Sequence, residues 1–261
     1  MPTMQNEPSP RSKRGAQALF LLATLLSLGA EVARAASPEW ETPAVSHKNV
    51  KPYVDVTPLH ATTLPPPPEE GTQADRDDVA AVLARQQVDA ERRAMAETDG
   101  EFLYDRFAPV LGVELRRDRF PALIDLLNRS VRQAGQPAFA AKTLYRRLRP
   151  YQRLTLEHVC GRTGTSKPDP DAQQRTSYPS GHSTYGWTTA LVLARVAPDK
   201  APALLARARD YAESRLICGM HFPSDVEAGR QLATAVVSQL DLNPEFQRDL
   251  QRARAELAAA R

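Results

Sequence analysis

Residues 178–198 read Tyr178-Pro179-Ser180-Gly181-His182-Ser183-Thr184-Tyr185-Gly186-Trp187-Thr188-Thr189-Ala190-Leu191-Val192-Leu193-Ala194-Arg195-Val196-Ala197-Pro198. Pro179 and Gly181 mark a tight turn. Behind it Tyr185, Thr188, Thr189, Val192 and Val196 recur at helical spacing, and Pro198 stops the run. The same spacing spreads outward in both directions. Upstream it links Val79, Val82, Leu83 and Gln86, then Leu123, Leu126, Leu127 and Val131 behind Pro121, a residue suited to a helix's first turn. Downstream it links Leu204, Leu205, Ala208 and Tyr211, then Val226, Leu232 and Val236 from Pro223, then Phe246, Leu250 and Leu257. No segment alternates over several residues as a half-buried strand would. Residues 74–261 therefore read as an all-α, single globular helical domain of about seven to nine helices around one core.

The 261-residue chain carries two other regions before that domain. Arg11, Lys13 and Arg14 precede an apolar run over residues 16–30, and Ala33-Arg34-Ala35 supplies small residues at a cleavage position. This is the layout of a secretory signal peptide over residues 1–35, shorter than a bilayer span of about 20 residues. The expectation is a periplasmic or secreted protein without stable membrane insertion. Removing the leader takes away four basic and two acidic residues and brings the net charge from +3 to +1. So neutral a remainder gives no footprint for nucleic acid. Residues 36–73 hold many prolines, ending in Pro65-Pro66-Pro67-Pro68, and are expected as an extended arm laid over the core. The two cysteines, Cys160 and Cys218, form an even count in an oxidising compartment, which favours a bridge.

Three motifs carry chemistry. In Lys142-Thr143-Leu144-Tyr145-Arg146-Arg147-Leu148-Arg149-Pro150, seven residues separate Lys142 from Arg149, about two helical turns, so both are expected on one helical face. Pro150 sets Arg149 at a helix end. Taken alone this is an ordinary solvated basic face, and Arg146 is read that way. In residues 178–183, Gly181 allows close backbone approach, and the first amides of the following helix point outward as an anion site. His182 stands at its mouth, placed to protonate a leaving oxygen. In Ser214-Arg215-Leu216-Ile217-Cys218-Gly219-Met220-His221-Phe222-Pro223-Ser224-Asp225, Arg215 ends one helix and His221 precedes the next. Asp225, four residues on, can orient the imidazole and leave its Nε2 free as a nucleophile. Lys142, Arg149 and Arg215 supply positive charge for phosphate oxygens, two of them as bidentate guanidiniums.

The order Lys-x6-Arg-Pro, Pro-Ser-Gly-His, Ser-Arg-x5-His-x3-Asp resembles the signature of the type 2 phosphatidic acid phosphatase superfamily, which also contains the vanadium haloperoxidases. Leu64 to Pro68, Ser177 to His182, Gly186-Trp187, Ala190 to Ala194 and Ile217 to Gly219 are similar to the bacterial class A nonspecific acid phosphatases. The resemblance implies a metal-independent acid phosphatase that needs no cofactor and hydrolyses phosphate monoesters through a phosphohistidine. His221 would be the nucleophile, Asp225 its orienting carboxylate and His182 the general acid. Lys142, Arg149, Ser180, Gly181, His182 and Arg215 would bind phosphate. Inorganic phosphate or vanadate would inhibit, and homo-oligomers are common in that class. Ser183 departs conservatively from an expected threonine, and residues 72–110 match more loosely. A vanadium-dependent haloperoxidase and a soluble lipid-phosphate phosphatase stand as alternatives. A non-enzymatic phosphate-binding protein would need neither His182 nor His221. His47, His60 and His158 fall outside the motifs. Asp169 and Asp171 read as solvated turn residues, and no His/carboxylate cluster has metal-ligand spacing.

Overall fold

The computed structural model describes residues 50–260, so the leader and the first part of the arm lie outside the described residues. In chain order the helices are α1 (Leu59–Thr63), α2 (Gln73–Arg85), α3 (Ala90–Thr98), α4 (Ala108–Leu111), α5 (Pro121–Tyr145), α6 (Pro150–Arg153), α7 (Gly181–Val196), α8 (Ala201–Ile217), α9 (Pro223–Asp241) and α10 (Pro244–Ala259). 3₁₀ turns occupy Leu103–Arg106 and Pro198–Lys200. Seven of these helices run nine residues or more, and no strand occurs among the described residues. The all-α expectation matches this architecture.

The helix α7 is the central element. Ten of its sixteen residues are buried, because α5, α8 and α9 pack around it. A helix apolar on most sides has no solvent face to keep polar, which is why Thr184, Thr188 and Thr189 are buried as well. Thr184 and Thr188 return their hydroxyls to the carbonyls of Ser180 and Thr184, at 2.9 and 2.8 Å. Around α7 the main core gathers Leu123, Leu126, Leu127 and Val131 of α5, Leu204 and Ala208 of α8, Val236 of α9 and Phe246 of α10. Each large apolar side chain buried there contributes roughly 1.5–3 kcal/mol.

The arm differs from an unbroken extended segment. Residues 65–68 are extended, as four consecutive prolines require, but α1 forms before them, with Pro58 at its N-cap and Pro65 just past its end. The arm is pinned to the core. Tyr53 donates to Asp249 at 2.8 Å, and the Pro65 carbonyl accepts from Tyr178 at 2.7 Å.

The second helix also departs from its apolar spacing. Leu83 is 44% exposed, while Gln86 is buried and donates to the Ile217 carbonyl at 3.1 Å. The inward face of α2 is instead Asp75, Asp78 and Val82. Two carboxylates are tolerable there because Arg147 and Arg153 come to meet them.

Candidate active site

The three motifs meet where α5 and α8 end and α7 and α9 begin. Lys142 is in the last turn of α5. The helix ends three residues later at Tyr145 and closes on Arg146, whose backbone is left-handed (φ 47°), and residues 146–149 run without helix to Pro150. Lys142 and Arg149 therefore do not share a helical face. They converge because the chain leaves α5 and turns back, with Arg149 at the N-cap of α6. Pro150 disfavours helix at Arg149, and this outweighs the seven-residue spacing. The Lys142 Nζ donates to the carbonyls of Thr176 and Pro179, both at 2.5 Å. Burial and then Arg149 pull this ammonium down to about 7.

Arg149 spans the gap to the third motif. Its Nη1 donates to the Met220 carbonyl at 3.1 Å and lies 3.2 Å from His221 Nε2, and its Nη2 donates to Thr176 Oγ1 at 3.2 Å. A guanidinium only donates, so Nε2 must be the acceptor, and the neutral imidazole carries its proton on Nδ1. That Nδ1 faces Asp225 Oδ2 at 3.6 Å, an electrostatic contact at a distance longer than a hydrogen bond. His221 is buried, and burial pulls its imidazolium well below the usual histidine range. Arg149 and Lys142 act the same way, against Asp225.

Asp225 is fully enclosed and fully engaged. Its Oδ2 accepts from Ser177 Oγ at 2.6 Å and from the Phe222 amide at 2.8 Å, and its Oδ1 accepts from Arg147 Nη1 at 2.7 Å. Burial alone would push this carboxyl up. The close approach of His221, the charge of Arg147 and the hydrogen bond from Ser177 outweigh it and hold the group below the usual carboxylate range.

Ser180 is the N-cap of α7. Its hydroxyl accepts from the Ser183 amide at 3.2 Å, its amide donates to the Asp225 carbonyl at 2.9 Å, and its carbonyl takes the Thr184 amide at 3.0 Å. The hydroxyl and the amide thus both serve the turn. The amides of Gly181 and His182, in the helix's first turn, are the donors left for an anion. The turn sits tightly on α9. A Cβ on Gly229 would come within 2.6 Å of the Ser180 carbonyl oxygen, so only glycine lets the two helices approach this closely.

His182 is held more loosely. Its Nε2 lies 3.5 Å from the Gly100 carbonyl, and its ring stacks on Tyr211 at 6.2 Å between centroids. Burial and then Arg215 lower its proton affinity, although the residue as a whole is only half-buried. Arg215 is buried in the last turn of α8, and its Nη2 lies 2.7 Å from Cys218 Sγ. A Cβ on Gly100 would come within 3.5 Å of Arg215 Nη1, so the 99–101 turn closes over this guanidinium. Cys160 and Cys218 are joined, with a Cα–Cα distance of 4.8 Å. The bridge ties the segment after α6 to the end of α8.

Motif reading alone missed the partners of these groups. Thr176, Ser177 and Tyr211 brace them. Arg147 and Asp78 stand behind Asp225. The available signal was the Arg-x-Arg pair before Pro150, since alternate residues of an extended segment share a side. Among the described residues, no three His, Cys, Asp or Glu side chains gather as metal ligands, and no helix is long and apolar enough to cross a membrane.

Residues 130–240 match the PAP2 superfamily. The chain is 34% identical to the non-specific acid phosphatase of Providencia stuartii over 201 residues, spanning 75% of this chain and 79% of that one. It is likewise 34% identical to the acid phosphatase of Zymomonas mobilis subsp. mobilis over 203 residues, spanning 76% and 75%. In fold it is similar to an apo-type bacterial vanadium-dependent chloroperoxidase, with a TM-score of 0.52 and 17% identity. That match covers 75% of this chain and about half (53%) of the peroxidase.

Proposed function

The chain belongs to the PAP2 superfamily, among the non-specific acid phosphatases, and on that premise we propose that it cleaves phosphate monoesters through a phosphohistidine on His221, with no metal ion. It is a phosphoric monoester hydrolase. Its substrate's equatorial oxygens would be held by Lys142, Arg149, Arg215 and the amides of Gly181 and His182. The His221 Nε2 lone pair forms a bond to phosphorus as the bond to the ester oxygen breaks. That oxygen leaves with the proton of His182, and Asp225 balances the charge that develops on the His221 ring. In the second half the N–P bond breaks under attack by water. The water's proton returns to His182, and inorganic phosphate leaves.

The observation that supports this best is the 3.2 Å contact from Arg149 Nη1 to His221 Nε2. It leaves the imidazole lone pair on Nε2 with a guanidinium beside it, which supports the reading of Nε2 as nucleophile and Arg149 as a phosphate ligand. The protonation demands favour acid conditions. Lys142 gains its full charge only below about 7, and burial together with Arg215 makes His182 reluctant to hold a proton until a phosphate anion arrives. Export through cleavage of residues 1–35 belongs to the same reading, and N-terminal sequencing of the mature protein should begin near residue 36.

The test is a panel of aryl, alkyl, sugar and lipid phosphates assayed from pH 4 to 9, with and without EDTA. Chelator-resistant turnover with an acidic optimum, inhibited by vanadate and phosphate, is expected. Loss of activity in EDTA that zinc or magnesium restores would contradict it. Turnover confined to lipid phosphates would move the substrate class to lipids.

A further inference from the structure

Behind Asp225 lies a buried cation that the catalytic reading does not use. Arg147 keeps only 7% of its side-chain surface exposed and lies among three carboxylates, Asp225, Asp78 and, at 3.8 Å, Asp75, which Arg153 holds at 2.7 Å. Its Nη1 donates to Asp225 Oδ1 at 2.7 Å and to Ser224 Oγ at 2.7 Å, and its Nη2 donates to Asp78 Oδ2 at 2.9 Å. The guanidinium carbon sits 4.3 Å from the centroid of the Phe222 ring, which fixes its plane. Asp78 also accepts from the Ser224 amide at 3.0 Å and from the Ser224 hydroxyl, so α2 is tied to the first turn of α9. At the other end the Arg147 carbonyl accepts from the Ser177 amide at 3.1 Å, and Ser177 in turn donates to Asp225. Arg147 thus touches Asp225 directly and through Ser177.

Resting on the phosphohistidine reading, we propose that Arg147 is a positioning residue for His221, acting through Asp225. It aims the carboxylate at Nδ1 and offsets its charge, so that Asp225 orients the imidazole without drawing a second proton onto Nε2. Asp78 sets how much of the guanidinium's charge Asp225 receives.

The charge balance gives the reason. His221 is faced by Arg149 from the segment before α6, Lys142 from α5 and Asp225 from α9, and Arg149 in turn acts on Arg215 of α8 and His182 of α7. Arg147 and Asp78 form the next layer, with Asp75 and the Arg153 that neutralises it beside them. With Arg147 present, Asp225 and Asp78 share one cation, and the set carries one net negative charge against the positive charge that develops on His221 during attack. Without it, two buried carboxylates lie behind the imidazole with no counter-ion. The cheapest relief is a proton on His221, and a doubly protonated imidazole cannot attack. Removing Asp78 does the reverse and leaves Asp225 the whole of the guanidinium.

The test is the pH dependence of kcat/KM for p-nitrophenyl phosphate in the parent enzyme and three variants. The substrate's own titration is common to all four. Arg147→Met should move the acid limb up by about one pH unit or more. Arg147→Lys should return the limb to the parent position with a kcat about tenfold lower, since an ammonium restores charge but not the fork. Asp78→Asn should move the limb down. Its sign is opposite, so it keeps the test alive should Arg147→Met fail to fold. If Asp78→Asn, and Arg147→Met where it folds, lower Tm and leave the acid limb where it is in the parent, Arg147 is only a structural ion pair and the proposal is overturned. A parent enzyme without phosphomonoester turnover would overturn the underlying reading instead, and would be seen before any variant is made.

Discussion

His221 and His182 belong to one cluster of charges and are held in opposite ways. His221 is buried. Its Nε2 is met by Arg149 and its Nδ1 by Asp225, and every oxygen of that carboxylate is committed to Ser177, Phe222 or Arg147. His182 stands in the first turn of α7 with one long contact to a carbonyl and a tyrosine ring beneath it. A nucleophile has to meet phosphorus along one line, so rigidity serves it. An acid has to follow leaving groups of many shapes, so a single loose contact serves it better. The difference between the two surroundings therefore supports the proposed division of roles.

The sharpest way to break this comparison is His221→Ala. Turnover should fall by about 10⁵-fold or more with every substrate, because no other group can take over the attack. Asp225→Asn should lower kcat by about 10²–10⁴-fold without abolishing it, since the imidazole remains while its tautomer is no longer enforced. It should also destabilise the fold by about 3–5 kcal/mol, because Arg147 loses a buried partner. His182→Ala should cost about 10²–10⁴-fold for alkyl phosphates, and far less for p-nitrophenyl phosphate, whose leaving group scarcely needs a proton. Equal losses for both substrates would remove His182 from the acid role.

Acid should weaken the His221 side. His221 is neutral in the folded state, its pKa lying well below that of the unfolded chain, so stability is lost as pH falls below about 6.5, where the unfolded state takes up the proton. Asp225, held low, adds a loss in the same direction as pH falls through the carboxylate range. Tm measured from pH 7 down to pH 4 should fall, by roughly 2–4 °C for each kcal/mol lost. Added phosphate should offset the fall by binding only the folded state. The smallest effect is expected from Cys160→Ser with Cys218→Ser. Loss of the bridge should cost about 2–4 kcal/mol of stability, and it loosens Arg215, on the His182 side. Two titratable thiols in the denatured, unreduced parent would contradict the bridge.

Much of the fold was legible in residues 178–198 and their echoes, because a helix buried on most sides announces itself by its apolar spacing and its flanking prolines. The helix α3 escaped, since only its Ala96 is buried, and for α2 the apolar spacing gave the helix but not its inward face, which is Asp75, Asp78 and Val82. Apart from Lys142, the motif residues were legible because each stands at a helix end marked by proline or glycine. Arg147 was not. Its role depends on Asp78, which is 69 residues away and on a helix whose inward face is acidic. The route by which Lys142 meets Arg149 was hidden for a related reason, since the left-handed turn at Arg146 leaves no mark in residue type.

The most direct measurement is trapping by a denaturing alkaline quench, which preserves an N–P bond, of the parent enzyme and of His182→Ala with ³²P-labelled p-nitrophenyl phosphate, followed by peptide mapping at alkaline pH. Acid-labile label on the peptide that contains His221 in both proteins is the predicted result. Label on His182 in the parent, or on Ser180 in either protein, would contradict it.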